Sequence, residues 1–187
     1  MTVRVLRHAA ATAMLCAATG MVAACGTPVP PTDAGAAPAV TASSAAGMRQ
    51  DATVVRAIDG DTLLVRVDDR TQRVRLIGVD TPETVKPDTP VQCWGKQASA
   101  HTAARAGRGT AVTLESDPVA GRHDRYGRTL AYVWLPDGIM LDEELIAEGY
   151  GREYDYADQP YRYRPQLRAA QDAARAAGRG LWSACPQ

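Results

Sequence analysis

The stretch that decides the fold is residues 52–79, ATVVRAIDGDTLLVRVDDRTQRVRLIGV, where aliphatic and polar residues alternate around two short turns. Ala52–Ile58, Thr62–Val67 and Arg73–Val79 are rich in β-branched residues. They carry the period of two that turns one face of a strand to a core and the other to water. Asp59-Gly60-Asp61 separates the first run from the second, and Asp68-Asp69-Arg70 joins the second to the third. The segment therefore predicts three consecutive strands with a hairpin.

Toward the C-terminus, helical spacing runs from Trp94 to Ala106, followed by two strand-like runs, Ala111–Glu115 and Thr129–Leu135. Helical patterns return at Leu141–Glu148, after an Asp137-Gly138 turn, and at Pro165–Ala177. Three strands, a helix, two strands and two helices predict an α+β fold: a five-stranded OB-fold-type β-barrel with three α-helices.

Toward the N-terminus the character changes. Arg4 and Arg7 precede an alanine-rich apolar run from Ala9 to Ala24, a charged region and an apolar region in the order of a secretory leader. The run is broken by Thr12, Thr19 and Gly20 and is short of the about 20 apolar residues a transmembrane helix needs. Val22-Ala23-Ala24-Cys25 resembles a lipobox, so residues 1–24 are expected to be a lipoprotein signal peptide and Cys25 the lipidated residue. The alternative is a plain leader with Cys25 incidental. Either way the mature chain is expected outside the cytoplasm, in the first case anchored to the outer face of the bacterial cell membrane or shed from it. Residues 25–50 are rich in Pro, Ala, Ser and Thr and cannot bury enough surface to offset ordering entropy, which predicts a flexible linker. The folded domain is then 51–187, one domain, read as a monomer.

Removing the leader and lipidating Cys25 leaves Cys93 and Cys185, an even pair in an oxidising compartment and hence an expected disulfide, with two free thiols as the alternative. By the chain-entropy argument, closing so long a loop contributes about 4 to 5 kcal/mol. Loss of Arg4 and Arg7 also leaves 19 of the 21 basic residues against 21 acidic ones. That excludes a strong basic footprint over the whole protein, so a nucleic-acid partner would have to be held by a local cluster and a bound cation.

Three clusters could carry chemistry. Ile58-Asp59-Gly60-Asp61-Thr62 places two carboxylates at one end of the barrel, although Asp-Gly is also ordinary turn punctuation. Arg75 through Thr84 puts Arg75, Ile77 and Val79 on one strand face, with Asp80 and Glu83 where Pro82 ends the strand; a structural ion pair is the bland reading. Asp124-Arg125-Tyr126-Gly127-Arg128 is a tight turn whose arginines can fork onto phosphate oxygens. Together they hold hard oxygen ligands, two arginines and a spare carboxylate, a set suited to metal-assisted phosphodiester hydrolysis. His123 beside Asp124 would allow a histidine-metal nuclease, but His101 shows no ligand-spaced partner and neither histidine receives a role.

These clusters, with the closing Gly180-Leu181-Trp182-Ser183, resemble the thermonucleases, the staphylococcal nuclease-like family, over nearly all of 51–187. The resemblance implies an OB-type barrel with three helices and a Ca²⁺-dependent nuclease acting on DNA and RNA, single-stranded or frayed. It implies endonucleolytic cleavage at the bond to the 5′ oxygen, leaving a 3′-phosphate and a 5′-hydroxyl. By the same resemblance Asp61, Asp80 and the carbonyl of Thr81 would hold the ion, with Asp59 supporting them from behind. Glu83 would activate or orient water, and Arg75 and Arg128 would hold the phosphate. Arg125 and Tyr126 would grip a flanking phosphate, and Tyr154 and Tyr156 would stack on bases. The competing readings are a catalytically silent OB-fold lipoprotein that binds oligonucleotide or another envelope ligand, and a lipoprotein serving envelope structure. Neither needs Asp61, Arg75, Asp80, Glu83 and Arg128 all at once.

Overall fold

A computed structural model describes residues 47–84, 90–156 and 158–186. The leader, Cys25 and most of the expected linker lie outside the described residues. The elements run β1 (Arg49–Asp59), β2 (Thr62–Val67), β3 (Arg70–Leu76), β4 (Val79–Asp80), α1 (Gly95–Arg105), β5 (Ala111–Glu115), β6 (Thr129–Trp134), α2 (Leu141–Ala147), β7 (Arg152–Glu153), α3 (Arg164–Ala176) and α4 (Leu181–Ala184). Five strands close a barrel in the order β1-β2-β3-β6-β5, with β5 returning to β1. Every pairing in it is antiparallel except β3 with β6. Among the described residues no helix is long and apolar enough to cross a membrane.

The alternation read from residues 52–79 becomes the barrel's interior. Val54, Leu63, Val65, Val74 and Leu76 are at most 1% exposed and meet Ala131 and Val133 from β6, filling a small barrel with side chains. Leu141, Leu145 and Ile146 of α2 and Leu167 of α3 extend this core. Cys93, just before α1, is bonded to Cys185, just after α4, tying the chain's last turn to the start of the first helix.

Several differences from the sequence pattern have physical causes. β1 begins at Arg49, two residues inside the expected linker, because Arg49 and Gln50 pair with β5 and the Arg49 guanidinium binds the buried Glu115 carboxylate at 2.8 Å. The third strand does not run through Val79. It stops at Leu76, because Gly78 adopts φ 76° and a Cβ there would lie 2.6 Å from Leu167 Cδ1 and 2.7 Å from the Tyr161 ring, so only glycine admits α3 this close. Beyond that break, β4 pairs with β7 instead of the barrel. Lastly, a fourth helix, α4, is a single turn too short to show a helical period.

Candidate active site

The break after β3 builds the site. Arg75 is the last outward residue of β3, and its guanidinium is almost wholly buried. Its Nη1 donates to the carbonyls of Leu76 (2.9 Å) and Val79 (2.6 Å), the two ends of the break. Its Nη2 donates to Asp80 Oδ1 at 2.9 Å and lies 3.3 Å from Asp61 Oδ2. One nitrogen thus joins carboxylates from the β1–β2 turn and from β4, nineteen positions apart in the chain.

Asp61 is held from every side. Thr62 Oγ1 donates to its Oδ1 at 3.0 Å, and the Thr81 amide and hydroxyl donate to its Oδ2 at 2.9 and 3.0 Å. Gly60 permits this approach, since a Cβ there would fall 2.6 Å from Thr81 Oγ1. Asp59 sits behind, with Oδ1 accepting from the Gly60 amide, Thr84 Oγ1 and Ser99 Oγ at 2.7–2.8 Å. Burial works to raise its pKa, but those hydroxyls, the Glu83 carboxyl and the Gly60 amide together hold it below the usual carboxylate range. Glu83 Oε1 accepts from the Thr84 amide at 2.9 Å, and Gln92 Oε1 accepts from the Glu83 amide.

Asp80 behaves differently. Its side chain is 58% exposed to the cleft, yet desolvation there raises its pKa; Arg75 opposes the rise and the charges of Asp61, Glu83 and Asp59 reinforce it. The negative charge that crowds Asp80 is relieved by a cation, and all-oxygen donors suit a hard one such as Ca²⁺. The residues present therefore fit such an ion.

Across the cleft, Arg128 enters from the turn before β6. Asp124 Oδ2 accepts from its Nε at 2.6 Å, and Nη1 reaches Thr62 Oγ1 at 3.4 Å, so one threonine hydroxyl touches both Asp61 and Arg128. Burial acts to raise the Asp124 pKa, but the Arg128 amide and guanidinium and the Tyr126 amide keep it low. Arg125 and Arg128 lie over the exposed Tyr126 ring, 4.8 and 5.5 Å from its centre. Tyr154 and Tyr156 follow β7 and are exposed at the cleft, and the Tyr154 amide donates to the Gly78 carbonyl, in the same break that holds Arg75. The cleft holds about 760 Å³ and is lined by Asp59, Asp61, Arg75, Asp80, Thr81, Glu83, Arg125, Tyr126, Arg128, Tyr154 and Tyr156 together.

The staphylococcal nuclease homologue family matches residues 73–184. This chain belongs to the staphylococcal nuclease family. It is similar to the thermonuclease of Staphylococcus hyicus, 48% identical over 130 residues covering 70% of this chain and 74% of that one. The thermonuclease of Staphylococcus intermedius is 46% identical over 129 residues, 69% of this chain and 74% of its own length. An endonuclease of Bacillus subtilis is 38% identical over 131 residues, 70% of this chain and 61% of its own.

Within this staphylococcal nuclease fold the structure gives contacts to residues that the sequence left without a role. Thr62, Thr84 and Ser99 fix the carboxylates, and Arg73, His123 and Tyr161 also line the cleft. Hydroxyl residues are too common in strands and turns to signal such contacts in advance. His101, read as lacking a ligand-spaced partner, does have neighbours across the α1–α2 contact. Its ring nitrogens lie 2.8 Å from Glu144 and 3.8 Å from Glu148, and its ring stacks on Tyr150 at 4.1 Å. Both Glu144 oxygens already accept from Arg105, at 2.6 and 2.8 Å, so the cluster is a helix-to-helix ion-pair network and not a ready metal cage.

Proposed function

We propose that this chain is a Ca²⁺-dependent nuclease that hydrolyses phosphodiester bonds of DNA and RNA endonucleolytically, leaving 3′-phosphate and 5′-hydroxyl ends. The observation that carries the reading is the single Arg75 nitrogen shared by Asp61 and Asp80, with Arg128 facing it across the same cleft. The thermonuclease relatives support it independently.

Asp61, Asp80 and Thr81 would hold the ion, with Asp59 buttressing the turn. When bound, the ion supplies a Lewis acid beside the phosphoryl oxygens. Arg75 and Arg128 bind the equatorial oxygens and meet the charge that grows on them as water adds. Glu83 orients the attacking water and accepts its proton, while the bond from phosphorus to the 5′ oxygen breaks and the departing oxygen takes a proton from solvent water. Arg125 and Tyr126 hold the neighbouring phosphate, and Tyr154 and Tyr156 offer stacking faces for bases. Cleavage of single-stranded DNA is expected in Ca²⁺ and lost on chelation, and the fragments are expected to accept 5′ label from a kinase without prior phosphatase treatment. Full activity in chelator would remove the metal assignment. Binding without cleavage at any Ca²⁺ concentration would instead favour the silent OB-fold.

The same proposal places the chain outside the cytoplasm, tethered through Cys25 by the segment that precedes β1. Cys25→Ser is expected to move the protein from the membrane fraction to the soluble one, and unchanged fractionation would eliminate the anchor.

A further inference from the structure

The near-neutral charge demands a local cluster of cations, and the barrel's outer wall contains one that runs on past the cleft. Along β3, residues 71, 73 and 75 face outward, so Arg73 lies two residues from Arg75 on the same face, about 7 Å away along the strand. Leu64 of β2 pairs with Arg73 on one side and with Arg56 of β1 on the other, so Arg56, Leu64 and Arg73 form one cross-strand row.

Arg56 joins that row only because β1 is irregular. Val54 pairs with Val65 but Arg56 pairs with Leu64, two residues against one. That bulge reverses the facing of Arg56 and Ala57, up to a second irregularity between Ala57 and Asp59; without it Arg56 would share the core face with Val54. Among the described residues, neither the Arg56 nor the Arg73 side chain has a carboxylate, hydrogen-bond or ring partner, and both are exposed. Arg75 and Arg128, by contrast, are engaged with Asp80, Asp61 and Asp124. Arg73 also lines the cleft, so the row begins where the cleft ends. One row further out, Arg66 shares a shallow hollow with Asp51 and Asp68, and there the positive face stops.

We propose that the Arg56–Leu64–Arg73 row is a phosphate-binding extension of the cleft, holding the single strand that flanks the cleaved bond. The inference rests on the nuclease reading and deepens it. The unpaired arginines supply counterion-releasing contacts, and the half-buried Leu64 between them leaves the wall flat enough for a strand to lie across it.

The test compares the mature wild-type chain with R56Q/R73Q in saturating Ca²⁺, on a tetranucleotide and on a single strand of about 16 nucleotides. The variant is expected to raise KM for the long strand about tenfold, with kcat within about twofold. The slope of log KM against log salt should fall by about 1.4, because each phosphate contact on a single strand contributes about 0.7. R56K/R73K should restore most of that slope, since a point charge suffices. An R56Q/R73Q slope equal to wild type, with wild-type cleavage intact, overturns the row alone. A wild-type chain that cleaves neither substrate overturns the nuclease reading and the row with it.

Discussion

Arg128→Ala is expected to lower kcat on single-stranded DNA by about 10² to 10³-fold, a barrier increase of about 3 to 4 kcal/mol. The proposed nuclease reading puts this guanidinium opposite Arg75, aimed at oxygens whose charge increases only as the transition state forms, so its loss should fall on kcat more than on KM. The fold should tolerate the change. Asp124 Oδ1 still accepts from the amides of Tyr126 and Arg128, which hold the turn without the side chain. Arg128→Lys should recover only part of the rate, because an ammonium cannot keep the Nε contact to Asp124 and reach toward Thr62 at once. Asp124→Asn is the companion variant: it preserves an oxygen for the turn but loosens the guanidinium, and should lose less than Arg128→Ala. Turnover within about fivefold of wild type for Arg128→Ala would mean that the phosphate lies elsewhere in the cleft.

The residues that converge on the cleft were legible because each sits in a short motif with a turn signal beside it: Gly60 between two aspartates, Pro82 after Asp80, and Gly127 before Arg128. Turn residues mark where a strand ends, and barrel strands end at the rim where side chains of different strands can meet. The hydroxyls that support the carboxylates were not legible as supports. Thr62, Thr84 and Ser99 act through distances of one to 40 positions, and no local pattern distinguishes a threonine that holds a carboxylate from one that merely suits a strand. The partners of His101 were hidden for the same reason, because they lie on another helix.

The barrel itself was readable because alternation is a property of the local chain. The break at Ile77–Gly78 was not. Leu76, Ile77 and Val79 are all β-formers, and the pattern gives no sign that Gly78 yields its space to Leu167 and Tyr161, about ninety residues further on. Yet that break releases Asp80 and Thr81 from the barrel and pairs Val79 with Glu153, so the least legible backbone feature is the one that assembles the candidate site.

Asp142 was equally hidden, since an acid in the first turn of a helix is ordinarily a solvated partner of the helix dipole. Here it is completely buried: its Oδ2 accepts from the Val133 amide at 2.9 Å and its Oδ1 makes no hydrogen bond. Burial pushes its pKa up to about 8, against the opposing pull of the nearby amides of Val133, Asp142 itself and Ile77 and of the Arg75 charge. The folded chain therefore binds this proton more tightly than the unfolded chain, whose aspartates titrate near 3.9. The stability tied to the proton is complete below about pH 4 and is lost as pH rises toward about 8. The slope is at most about 1.4 kcal/mol per pH unit, so the loss across that window is on the order of several kcal/mol. Asp142→Asn keeps an oxygen for the Val133 amide and mimics the protonated acid at every pH. Its urea midpoint is expected to match wild type near pH 4 and to exceed it increasingly toward pH 8. If the two midpoints keep a constant separation from acid to base, Asp142 does not carry a buried proton.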